Sequence, residues 1–151
     1  TVENIKKLRE YVPHADFQIT PTISNWNVHT FPDFFDSLIE QGLLVIDNPK
    51  RPPNPRFNLL SDPWYANIMI LPEIAKEKLI PRYIKSMEKY AFNRDLKNSF
   101  KTVVYTLMRG KPNKGGIQEF IKYNDEVDMH RKEKLLDVIP ELKEVYEWAK
   151  S

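Results

Sequence analysis

DFQITPTIS, residues 16–24, is the stretch on which the fold turns. It alternates without a break: Phe17, Ile19, Pro21 and Ile23 fall on one face and Gln18, Thr20, Thr22 and Ser24 on the other, the period of a β-strand. Pro21 cannot donate to a ladder, so the strand is expected at an edge, or with a local bulge near its end. Upstream, residues 2–11 place Val2, Ile5 and Leu8 at helical spacing and stop at Val12-Pro13, which predicts a short amphipathic helix. Downstream, Thr30 is a candidate N-cap, Pro32 and Asp33 suit a first turn, and Gly42 suits an end, so a helix is predicted over about 30–41 with Phe34, Phe35, Leu38 and Ile39 as its buried stripe. Leu43 to Ile46 is wholly apolar and predicts a second strand covered on both faces. A strand, a helix and a strand at this spacing predict a parallel crossover, because parallel strands need a long connection.

Residues 47–63 change character. They are rich in Pro and Asn and have no period, so they predict a long loop. Tyr65 to Ile70 is a candidate further strand, and Leu71-Pro72-Glu73 marks a stop followed by a helix start. The remainder reads as helices over about 72–90 with a kink at Pro81, 94–108, 117–134 and 140–150, the last with Pro140 at its first position. The fold class is therefore α/β, with an α/β portion over 1–70 and a helical section over 71–151.

Composition narrows the chemistry. The 151 residues carry 23 basic and 21 acidic side chains, a net charge of +2, so no long-range field selects nucleic acid or an anionic membrane. The absence of cysteine excludes disulfides, thiolate metal sites, cysteine nucleophiles and iron–sulfur ligation by this chain. No apolar run approaches bilayer length and no signal pattern opens the chain, so a cytoplasmic protein is the expectation. A start at Thr1 fits a tag, processing or a longer parent.

Several motifs have plain structural explanations. RGKPNKGG, residues 109–116, lacks the residue order of a phosphate-binding loop and suits an inter-helix connection. Glu126 and His130 have the i,i+4 spacing of a ligand pair but no third ligand in view, and metal is not expected. His14 and His29 flank the alternating strand as structural or solvated side chains. Basic residues between Lys76 and Arg109 interleave with Tyr83, Tyr90, Phe92, Phe100 and Tyr105, but Glu73, Glu77, Glu88 and Asp95 dilute them, so a solvated helix face is favoured over a nucleic-acid surface. Asp128 and Arg131 suit a local ion pair. The hydroxyl and amide face of the strand fits equally an edge in water or the lumen of a parallel barrel.

FQITPTISNWNVHTFPDFFDSLIEQG, residues 17–42, resembles the late-barrel strand and helix of radical S-adenosylmethionine enzymes. DPWYANIMILP and FIKYNDEVDMHRKEKLLDVIPEL look like the C-terminal region of the small twitch-type members common in phage and marine bacterial sequences. Pro63, Tyr65, Asn67, Ile68, Leu71 and Pro72 match the first of that group's elements, and Asp128, Arg131, Pro140, Glu141 and Leu142 match the second. The resemblance covers most of the chain, but the cysteine loop that binds the family's [4Fe-4S] cluster is absent.

The resemblance implies the C-terminal half of such an enzyme, a split product or a degenerate relative. It would hold half of a parallel barrel followed by helices, with no activity of its own. Thr20, Thr22, Ser24 and Asn27 would then face the ribose and carboxylate of S-adenosylmethionine, and Trp64 and Asn67 the substrate side under the loop over 48–62. The cluster would be present only in a complete parent. The implied partners are an N-terminal cluster-bearing half, or a second copy joined through unpaired sheet edges; neither membrane nor nucleic acid is expected. From a different class, the alternative is a non-enzymatic helical module that binds protein or nucleic acid through the region 76–109. A metalloenzyme built on Glu126 and His130 ranks third.

Overall fold

The computed structural model describes residues 2–12, 14, 19–44, 46 and 56–151. The first three residues of the alternating stretch, Asp16 to Gln18, lie outside the described residues, as do Val45 and the part of the loop over 47–55. The chain is mostly helical, with a small parallel sheet, and so belongs to the α/β class only loosely.

Helix α1 spans Val2–Tyr11, where the apolar spacing placed it, and leaves Leu8 and Tyr11 exposed. Strand β1 is only Thr22–Ile23, two residues of the stretch expected as a strand, with Thr22 exposed and Ile23 buried as the alternation requires but Ser24 buried against it. Helix α2, Phe31–Glu40, follows with proline in its first turn and buries Phe31, Phe35 and Leu38. β1 pairs in parallel with strand β2, Asn58–Leu59, in the register Thr22 to Asn58 and Ile23 to Leu59. The ladder extends one step each way, with the Asn58 amide donating to the Pro21 carbonyl and the Leu60 amide to the Ile23 carbonyl, both at 2.9 Å. Pro21, unable to donate, serves as an acceptor.

The parallel crossover is present, but its return strand is not the apolar run after the helix. Gly42, at φ +67, reverses the chain at the end of α2, and the amides of Leu43 and Leu44 donate to the Leu38 carbonyl at 2.9 and 3.1 Å. Leu43 is 1% exposed. The leucines thus close the helix and supply the apolar contact that accompanies a left-handed C-terminal turn, with no strand at Leu43, Leu44 or Ile46. The return strand lies instead inside the Pro- and Asn-rich tract.

The strand expected over 65–70 is likewise replaced, here by 3-10 turns at Trp64–Ala66 and Ile68–Ile70. Asn67 joins them in an extended conformation and accepts from the Met69 amide at 2.9 Å. Ala66, Ile68 and Ile70 are buried while Asn67 is half-buried and Met69 exposed, an alternation that gives the segment its strand-like pattern.

Helix α3, Glu73–Lys89, runs through the exposed Pro81 without interruption. Helix α4, Arg94–Arg109, is capped by Asn93, and helix α5, Lys114–Arg131, by Asn113. The short helix α6, Leu135–Val138, leads to α7, Leu142–Lys150. The last helix therefore begins just beyond its expected start, with Pro140 in the preceding turn, where its carbonyl accepts from the Lys143 amide at 3.0 Å.

One core joins the strands and helices α2 to α7. Phe35 of α2 meets Phe57 beside β2, Tyr90 after α3 and Phe100 of α4 at ring separations of 5.3 to 5.4 Å, all as edge contacts. Among the described residues each strand has one neighbour, and no helix is long and apolar enough to cross a membrane.

Candidate functional site

The chain leaves β1 through a compact turn. Its shape is fixed by Asn27, whose Oδ1 accepts from the Ser24 amide at 2.9 Å and whose Nδ2 donates to the Thr22 carbonyl at 2.8 Å. Asn25, fully buried, spans to the segment beyond β2: its amide donates to the Ala66 carbonyl and its Nδ2 to the Tyr65 carbonyl, both at 2.9 Å. The Asn25 Oδ1 is buried without a partner among the described residues. The carboxyl ends of both strands are thereby fastened together. In parallel sheets this is the end at which ligands gather.

Just past this junction Trp26 turns toward α5. Its Nε1 donates to Asn124 Oδ1 at 2.7 Å, while its ring packs on Phe120 and Tyr123 at 5.4 and 5.8 Å. Tyr123 extends the ring cluster to Tyr65 at 5.7 Å in a tilted contact. Trp26 and Tyr123 wall a cleft of about 510 Å³, whose other sides come from Asn124, Val127, Leu135 and Val138 and from the charged Asp128, Arg131, Glu133 and Lys134. Apolar and charged groups thus share the cleft about equally.

Asp128 and Arg131 therefore do meet at a cavity, but not as an ion pair. Asp128 Oδ2 accepts from the Leu135 amide at 2.9 Å, and the Asp128 carbonyl accepts from the Glu133 amide at 3.2 Å, folding the chain back around Lys132 at φ 56. Asp128 fixes the turn, and Arg131 is exposed at the mouth of the cleft.

Of the residues expected to face a cofactor, Thr20 and Thr22 are exposed, Ser24 is 5% exposed, and both amide atoms of Asn27 are spent on the turn. Asn67 caps a 3-10 turn. Trp64 is partly exposed and lies against Gly116. A Cβ on Gly116 would come within 2.5 Å of the Trp64 ring, and one on Gly110 within 2.3 Å of the Met69 carbonyl oxygen. Gly110 and Gly116 thus serve close packing, and only residues 110–113 form the expected connection between helices, since Lys114, Gly115 and Gly116 already belong to α5.

His29 is 5% exposed, its Nε2 has no partner among the described residues, and burial holds its pKa below the usual value, against a smaller opposing effect of Glu141. His14, Glu126 and His130 are exposed, and no cluster of three His, Cys, Asp or Glu side chains fit for a metal occurs among the described residues. Sequence reasoning missed Asn25, Tyr123 and Asn124. No local signal marks them, since Trp26 and Asn124 are 98 residues apart. Set beside protein-family models, curated proteins and solved structures, the chain matches none.

Proposed function

We propose that this chain is the ligand-holding, C-terminal part of a radical S-adenosylmethionine protein, a partial barrel that has no catalysis of its own. The observation that carries the proposal is the parallel β1–α2–β2 crossover, whose joined carboxyl ends lead directly into the Trp26 cleft. Without cysteine the residues do not fit a [4Fe-4S] cluster, so the cluster and its electron belong to a separate cluster-bearing half. The outer edges of the two-stranded sheet, unpaired among the described residues, are the surfaces such a half or a second copy would complete.

The residues still available for S-adenosylmethionine are the exposed Thr20 and Thr22, together with the aromatic wall beyond the turn. Hydroxyls accept and donate to ribose and amino-acid groups without a fixed charge, and they would orient the molecule without moving its protons. Isothermal titration of the chain with S-adenosylmethionine tests this. The expected result is micromolar binding, about 8 kcal/mol, weakened several-fold in Thr22→Val. The exposed Thr22 is a cleaner probe than Asn27, whose loss would open the turn. Absence of binding removes any cofactor role for the chain by itself.

A further inference from the structure

The outer face of α4 carries basic side chains along its whole length, with one exposed aromatic, Tyr105, toward its end. Arg94, Lys97, Lys101, Tyr105 and Met108 recur at helical spacing and are all exposed, with Arg109 beside them. No ion pair among the described residues engages any of these cations. Arg109 lies over the Tyr105 ring at 5.1 Å, yet the tyrosine remains 56% exposed. The glutamates that dilute this region in sequence, Glu73, Glu77 and Glu88, all belong to α3, and Asp95 in the first turn is the one acidic residue α4 carries. Glu73 is held by the buried Lys76, which also donates to the Gly110 carbonyl, so its carboxylate stands near the far end of the stripe.

We propose that this face binds single-stranded nucleic acid, with the cations contacting phosphates and Tyr105 stacking on a base. Charge complementarity selects a polyanion, since the cations run for about 22 Å at ~1.5 Å per residue. An exposed aromatic among them selects a strand whose bases are unpaired and free to stack. An anionic membrane fits less well. A surface-bound amphipathic helix must bury its apolar face in lipid, whereas Leu96, Phe100, Val103 and Leu107 of α4 are fully buried in the core. The proposal is independent of the strand-end cleft.

Fluorescence anisotropy with a labelled oligothymidine long enough to span the helix provides the test. With phosphate contacts from Arg94, Lys97, Lys101 and Arg109, log K should fall against log salt with a slope of about −3, a loss of roughly 50-fold between 50 and 200 mM. The double variant Lys97→Gln/Lys101→Gln should flatten that slope by about 1.4. Tyr105→Ala should weaken binding about tenfold, and Tyr105→Phe should restore it. Lys6→Gln/Lys7→Gln, which removes exposed charges from α1, should change neither affinity nor slope. The proposal is overturned by no binding at low salt, by equal sensitivity to the α1 pair, by tighter binding to vesicles of anionic phospholipid, or by preference for the matching duplex with Tyr105→Ala silent.

Discussion

Gly110 has backbone angles of φ −60 and ψ 146, a conformation open to every L-residue, so its need for glycine is steric. The Met69 main chain occupies the space a Cβ would take, with its Cα at 2.7 Å, and the Asn113 amide donates to the Ile70 carbonyl at 3.0 Å on the same seam. Backbone cannot step aside as a side-chain tip can. Gly110→Ala should therefore lower stability by about 1–3 kcal/mol, read as a shifted urea midpoint at unchanged slope. Lys76 depends on the same contact. It is 1% exposed and points its ammonium at the Gly110 carbonyl at 2.7 Å, where the negative end of α4 is concentrated. In sequence it looked like one member of a basic cluster. Burial is a property of the assembled helices, and no feature local to Lys76 distinguishes it from the solvated lysines around it.

Among elements, the turn between α5 and α6 has the clearest internal logic. Asp128 accepts the Leu135 amide across the reversal, so Asp128→Ala should cost about 1 kcal/mol and speed hydrogen exchange at Leu135, while Arg131→Ala should leave stability unchanged. Comparable urea midpoints for the two variants would remove the distinction. Most helices were legible because their signals are local, as in α4, which keeps Leu96, Phe100, Val103 and Leu107 on one face, but α5 starts at Lys114, three residues before its expected start and inside the tract expected as a loop, and α6 was not legible. The sheet was only half legible. β1 announces itself by alternation, but β2 is set by the carbonyls of Pro21 and Ile23, which are remote in sequence, and its own tract reads as loop. The run at Leu43 misleads for the same reason, since an apolar helix closure and a buried strand share a composition and differ in the φ of Gly42. At the candidate site Thr22, Ser24 and Asn27 were pointed to from sequence only through the resemblance and as cofactor contacts, not for the turn that Asn27 holds, and the contact of Trp26 with Asn124 beyond it depends on a partner distant in the chain.

At the scale of the whole molecule, the strand unit and the helices meet at His29. Its carbonyl accepts from Arg82, the neighbouring Val28 carbonyl accepts from the Tyr83 hydroxyl at 2.9 Å, and its ring lines a cavity with Lys78, Arg82, Glu141 and Glu144. Burial lowers the imidazole pKa, so below the unfolded value of 6.5 the unfolded chain binds a proton that the folded chain refuses. The stabilisation from a neutral His29 is complete above that value and is lost as pH falls toward the folded pKa. Melting temperatures should drop between about pH 7 and 5, and His29→Gln should remove part of that drop. An unchanged pH profile in the variant would assign the drop to other groups.

The bond between Trp26 and Asn124 also orders events in time. The α3–α4 hairpin closes over a few residues and can form early, whereas the indole reaches its partner only when a loop of 98 residues has closed, at roughly 4 kcal/mol of chain entropy beyond a constant. The cleft should therefore be completed after that hairpin, and Trp26 stands where a fluorescence signal would mark the step.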